Sequence, residues 1–214
     1  MNEHTRIHII NTARRHFFNA SYRKVTIDEI AHSLGMSKKT LYTYFSSKEE
    51  LLRETMRYTR QEIAQDLESI LAQDHLPFMK RFQKILFVIL NLTQSVRKEF
   101  LVDLQRTHPD IWQEMEAFRK NQIYTKLGGL IREGIAAGNL RNDIDPQFII
   151  LMFYTLAQNI ICPETLSQIP FSASDAFRSI VKTIFEGILT EEVRHEYPFI
   201  LPESAGWEED PSHA

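Results

Sequence analysis

The side chains best suited to chemistry fall in one short run: Ser37, Lys38, Lys39, Thr40, Leu41, Tyr42, Thr43 and Tyr44. The run offers hydroxyls and two ammonium groups. Such donors fit phosphate oxygens and guanine acceptors, and a threonine can also meet a thymine methyl. Ser37 can cap a helix whose apolar side is Leu41, Tyr44 and Phe45. The first turn of that helix holds Lys38 and Lys39 and no carboxylate, against the preference of a helix N-terminus for negative charge. The neighbouring helices obey the preference, since Glu29 follows Thr26 and Glu50 follows Ser47, each three residues after its cap. A nucleic-acid backbone and base edges would supply the missing anion. Two solvated surface lysines are the bland alternative, and the surrounding pattern favours the nucleic acid.

Enzyme chemistry finds less to work with. There is no Gly-rich phosphate loop, no Gly-x-Ser-x-Gly and no His-Glu-x-x-His. The eight histidines are scattered, and a single cysteine, Cys162, excludes an internal disulfide and a cysteine-based zinc site within one chain. No catalytic residue, metal or cofactor is expected.

The elements that must position the run are legible around it. Thr26 and Glu29 have the spacing of a capping box, so a helix begins at Ile27. Ile27, Ile30, Ala31 and Leu34 give it an apolar face. Gly35 stands where a left-handed residue would end it, and Met36 fills the apolar corner. A small residue at Ala31 and Leu41 beyond the turn let two short helices cross closely. That is the requirement of a helix-turn-helix, whose second helix enters the DNA major groove.

These residues resemble the TetR family of bacterial transcriptional repressors. The resemblance runs through Ile7, Ile10, Ala13, Phe17, Tyr22, Thr26, Ile30, Ala31, Gly35, Ser37, Lys38, Leu41, Tyr42, Tyr44, Phe45 and Lys48, and is dense over about residues 5–55. One position departs: Ser21 stands where the family has a turn glycine. The resemblance implies base contacts from Ser37, Lys38, Lys39, Thr40, Thr43 and Tyr44, and phosphate contacts from Thr26, Tyr42 and Lys48.

Charge is distributed to match. Residues 1–60 carry 11 Lys and Arg against 6 Asp and Glu, while residues 61–214 carry 14 against 22. A basic head on an acidic body attracts a nucleic acid where it docks and repels it elsewhere. The longest apolar stretch, residues 148–162, is short of the ~20 residues a membrane span needs, and no charged-then-apolar leader opens the sequence. No membrane is expected as a partner, and the protein is expected in the cytoplasm.

Beyond the head, helical periodicity is continuous and strand signals are nearly absent. A connecting helix over 48–73 would span about 39 Å. Residues 78–96 are apolar nearly all round, which marks a buried helix. Helices follow over 97–106, then 111–137 with Tyr124 on the inner side and Gly128-Gly129 in the middle, then 145–162; 163–170 reads as a loop and 173–190 as the last helix. The final stretch, 196–214, with three prolines and several carboxylates, reads as a poorly ordered tail. The class is all-α: a three-helix DNA-binding head over 1–47 and a helical ligand-binding and dimerisation body over 48–195.

Two surfaces in the body follow. The resemblance places an inducer among the body helices, where Phe82, Leu86, Phe100, Trp112, Met115, Phe118 and Tyr154 would line a mostly apolar site. Small residues Ala176, Ser179, Thr183 and Gly187, with Ile150, Phe153 and Ala157 of the preceding helix, would form a four-helix interface between two copies. The reading is therefore a homodimeric repressor that binds a palindromic operator in double-stranded DNA and is released by a small molecule. The alternative is a DNA-bound architectural or assembly factor with a protein partner and no inducer, which a body without a cavity would favour.

Overall fold

A computed structural model describes residues 2–196. Among them the secondary structure is helical apart from one isolated bridge, Leu140 to Leu189. The head comprises α1 (Glu3–Phe18), α2 (Ile27–Ser33) and α3 (Lys38–Tyr42), followed by the long α4 (Lys48–Leu71). The body adds α5 (Phe78–Ser95), α6 (Lys98–Thr107), α7 (Pro109–Gln122), a π-helical turn (Ile123–Leu127), α8 (Gly128–Ala136), α9 (Pro146–Ile160), α10 (Pro163–Gln168), α11 (Ala173–Ile188) and α12 (Glu191–Glu196).

Local chemistry sets most of the ends. Thr26 and Glu29 form the expected reciprocal capping box, with the Thr26 amide donating to Glu29 Oε2 at 2.7 Å. Gly35 has φ +64°, the left-handed turn that only glycine adopts without strain. No residue other than glycine has positive φ among those described, so α1 ends at Phe18 without a left-handed residue, as serine rather than glycine at position 21 requires. Asp145 caps α9 ahead of Pro146, and Ser172 with Asp175 makes a second capping box on α11.

The buried side chains form one cluster running from Ile9 on α1 to Val193 on α12. Its head part is Ile9, Ile10, Phe17, Ile30, Leu41 and Phe45, packed on Leu51, Leu52 and Met56 of α4. α4 therefore belongs to the head at one end and to the body at the other. In the body, α5 and α11 face each other through Phe82 and Phe185, whose rings meet edge-on at 4.9 Å.

The helix expected over 111–137 is interrupted. Five residues, Ile123–Leu127, adopt π-helical bonding, which inserts one extra residue and turns the helix face. Tyr124, expected inside, is consequently exposed and lies against Tyr154 at 5.5 Å between ring centroids. Of the two glycines that follow, Gly128 admits a close neighbour: a Cβ there would sit 3.0 Å from Ile150 Cδ1. Gly134 is tighter still, with Phe78 Cζ at 2.4 Å from such a Cβ. Over the expected loop 163–170 the chain makes α10, with Pro163 at its first position. The connector stops at Leu71 and the last long helix at Ile188. Apart from Glu196, the expected tail lies outside the described residues.

Candidate functional site

The head presents α3 with its cap outward. Ser37 Oγ accepts from the Thr40 amide at 3.0 Å and shares a second bond with Thr40 Oγ1 at 2.8 Å. Thr43 Oγ1 donates to the Thr40 carbonyl at 2.6 Å. Ser37, Lys38, Lys39, Thr40, Tyr42 and Thr43 are all exposed, as is Thr26, while Tyr44 is half-buried against the head core. Leu41, buried completely, is the knob that fixes α3 on α2.

The two lysines differ. Lys38 Nζ lies 2.8 Å from Asp28 Oδ2 on α2, and the hydrogen bond and charge of Asp28 raise its pKa. The unopposed pair expected at this helix start is therefore half compensated, by a carboxylate ten residues back that sequence spacing did not associate with it. Lys39, among the described residues, has no such partner. Lys48 points backward: its ammonium donates to the Tyr22 carbonyl at 2.6 Å and lies 4.1 Å from the centre of the Tyr22 ring. Burial lowers its pKa, against the opposing pull of Asp103 and Glu29.

Around Tyr22 the head is fastened to the body. Asp103 on α6 is buried, accepts from the Ser21 hydroxyl and from the Arg23 amide at 3.2 Å, and pairs with Arg23 Nε at 3.5 Å. Burial pushes its carboxyl up, but the Ser21 hydroxyl, the Arg23 amide and the Arg23 charge outweigh it and hold the pKa below the ordinary value. The Arg97 amide donates to the Phe18 carbonyl at 2.9 Å, and Tyr22 meets the His108 ring edge-on at 4.7 Å. Ser21, the departure from the family pattern, is thus the residue that supplies a donor to Asp103. Farther along α4, Arg53 reaches Asp110 at 2.8 Å and Arg60 reaches Glu114 at 2.7 Å, both on α7.

Inside the body lies a cavity of about 200 Å³. Of the expected lining residues, Leu86, Phe100, Met115 and Phe118 border it. Phe82, Trp112 and Tyr154 do not: Phe82 is fully buried between Phe78 and Phe185, Trp112 packs on the core elsewhere, and Tyr154 is half-buried beside the exposed Tyr124. The wall contributed by α4, namely Met56, Thr59, Arg60, Ile63 and Leu67, was not anticipated. Its signal in the sequence is the spacing of three and four residues along α4.

The surface expected between two copies is also redistributed. Ile150, Phe153, Ala157 and Ala176 are buried in this chain's own core, because the inward stripe of α9 is Ile149, Ile150, Phe153 and Ala157. Ser179, Thr183 and Gly187 are exposed as expected, and the free face of α9 carries Phe148 and Leu151.

A short exposed helix with a basic start, locked across a glycine turn, makes this a helix-turn-helix DNA-binding protein. Residues 9–55 match the family model for bacterial regulatory proteins, tetR family. The chain is 27% identical over 167 residues to YvaF, an uncharacterized HTH-type transcriptional regulator of Bacillus subtilis (strain 168), spanning 78% of this chain and 87% of that protein. It shares its fold with a transcriptional regulator from Saccharomonospora viridis in complex with choline, at TM-score 0.66 and 19% identity over 89% of this chain and 100% of that one. It also shares it with FadR from Bacillus subtilis in complex with stearoyl-CoA, at TM-score 0.56 and 18% identity over 85% and 98%. Residues 9–55 are thus a TetR-type DNA-binding head, in a chain that over most of its length is similar to an HTH-type transcriptional regulator.

Proposed function

We propose that the chain acts as a homodimeric repressor, binding a palindromic operator through two heads and leaving it when a small molecule occupies the body cavity. Residues 1–47 with the start of α4 would form the DNA-binding unit, and 48–195 the ligand-binding and dimerisation unit. The observation that carries this reading is the double membership of α4. The helix that begins at the head with Lys48 lines the cavity with Met56, Thr59, Arg60, Ile63 and Leu67. A ligand that displaces this wall displaces the support of α1. Solved relatives of the fold carry choline in one case and stearoyl-CoA in another, so a small-molecule occupant is in keeping with the architecture. A cavity in the body also weighs against the alternative of a ligand-free assembly factor.

On the DNA, Lys39 and Thr40 are assigned to base edges, with Ser37, Lys38, Thr43 and Tyr44 beside them. Thr26, Tyr42 and Lys48 are assigned to phosphates, Lys48 keeping two ammonium protons free beyond the one given to Tyr22. The dimer would join the outward faces of α9 and α11, at Phe148, Leu151, Ser179, Thr183 and Gly187.

The test begins with duplexes selected from a random pool by the purified protein. Affinity for the selected site should fall steeply with salt, as counterion release from phosphate contacts requires. Thr183→Arg, which sets two charges against each other at the interface, should sediment as a monomer and lose tight operator binding. Affinity independent of salt removes the DNA assignment, and an unchanged dimer moves the interface elsewhere.

A further inference from the structure

Resting on the reading of the cavity as an inducer site, we propose that its ligand is a single-chain amphiphile with an anionic head. The polar lining is not scattered. Arg60 comes from α4, and Arg119, Gln122 and Lys126 come from one stripe along α7 and the π turn, so these groups gather on the α4–α7 seam. The opposite walls, from α5, α9 and α11, are apolar apart from Thr93. No carboxylate borders the space. The acidic partners of the three cations, Glu114, Glu116 and Glu68, lie outside the lining.

Two seam atoms have nothing to bond. Arg60 Nη1 and Gln122 Oε1 are buried and unpartnered, although Arg60 Nη2 is held by Glu114. Leaving a charged donor buried and unsatisfied is costly, more so than for a neutral group. An anionic oxygen would satisfy Arg60 Nη1 by a charge-assisted bond, and a turn of the Gln122 amide would present its NH₂ to a second oxygen. A wholly apolar ligand would leave Arg60 Nη1 unpartnered, and a cationic one would meet three like charges. The apolar walls then take a hydrocarbon chain.

The experiment uses the full chain without DNA, and titrates it with dodecanoate, 1-dodecanol and dodecyltrimethylammonium below their micelle concentrations. Dodecanoate should bind at least tenfold more tightly than either of the others. Across hexanoate, octanoate and decanoate each added methylene should tighten binding about fourfold, the equivalent of ~0.8 kcal/mol per buried CH₂, until the walls are full. Arg60→Gln should erase the preference for the anion while 1-dodecanol binds as before. Lys126→Gln, whose side chain bridges only to exposed Glu68, should reduce the preference without disturbing the fold, which keeps the test meaningful if Arg60→Gln melts early. Equal binding of the three heads, or preference for the ammonium, overturns the anionic class; release of the selected duplex by 1-dodecanol would then leave the inducer reading standing. No binding by any of them, together with none by choline, overturns both.

Discussion

Replacing Asp103 by alanine tests whether the head and body form one mechanical unit. The wild-type carboxylate accepts from the Ser21 hydroxyl and the Arg23 amide and is almost wholly buried, whereas its ionic partner Arg23 is 64% exposed. The exposed ion pair contributes little. The two hydrogen bonds to a charged acceptor are worth about 1.5–3 kcal/mol each. Part of that is recovered because both donors can turn to water once the loop loosens. A net loss of about 2–4 kcal/mol follows, and at about 2–4 °C per kcal/mol for a chain of this size the melting temperature should fall by roughly 4–16 °C. Asp103→Asn keeps one acceptor oxygen and should lose about half as much. The depressed pKa fixes the sign with pH: the contribution is present above the unfolded value of 3.8 and is lost as pH falls through the folded value. Thermal melts followed by circular dichroism at pH 7 and pH 3 measure this directly. A shift below 2 °C at pH 7 would show that the contact carries no load, and a difference between wild type and variant that survives at pH 3 undiminished would show that the charge of Asp103 is not what carries it.

Further outcomes are expected at four other places. Lys39→Ala should cost roughly 1–3 kcal/mol per head on the selected duplex and little on random DNA, whereas Asp28→Asn, which frees Lys38, should strengthen binding to both; anisotropy titrations at several salt concentrations separate the two. Glu54, held at about pKa 2 by hydrogen bonds from Arg57 and Arg6, should stabilise the α1–α4 contact above its unfolded value of 4.5 and cease to do so as pH falls toward 2; the gap in melting temperature between wild type and Glu54→Gln should close over that interval. Gly134→Ala should destabilise by about 1–3 kcal/mol because its Cβ would overlap Phe78, while Gly129→Ala, with nothing within 4 Å of the new methyl, should stabilise by about 0.5–1 kcal/mol. Leu86→Trp should fill the cavity with little change in melting temperature and abolish release by dodecanoate; a loss beyond ~3 kcal/mol would mean the space cannot accept the ring.

Features governed by neighbours in sequence were legible. Thr26 with Glu29, Gly35, Ser37, Pro109 and Asp145 with Pro146 each act within a few residues, and each forms as expected. Which face of α9 turns inward was not legible, because a helix apolar on all sides has no period to read. The π turn likewise leaves no mark in a pattern that assumes one spacing throughout. Of the site, the exposed run on α3 was recognisable from residue types. The pairing of Lys38 with Asp28 and of Ser21 with Asp103 was not, since each joins different helices or loops and the second spans 82 positions. The ion pair between buried Arg81 on α5 and half-exposed Glu133 on α8 escaped for the same reason.

The length of α4 sets the leverage of the regulator. Its 24 residues make a rod of about 36 Å at 1.5 Å per residue. Tilted about 5° at its far end, such a rod carries its near end through an arc of about 3 Å, close to the ~3.4 Å step between stacked bases. Lys48 ties the near end to the Tyr22 carbonyl and Asp103 of α6 holds the same turn, so a tilt of α4 carries the α1–α2 turn only as α6 moves with it or the Ser21–Asp103 contact yields. In a symmetric pair the arcs act in opposite senses along the duplex, and the recognition helices part by nearly two base steps. On the proposed reading, a shift of about 1 Å at Ile63, about 12 Å from the far end at 1.5 Å per residue, is amplified by lever length alone to about 3 Å at each head, a misfit that two rigid heads on one face of DNA would have no slack to absorb.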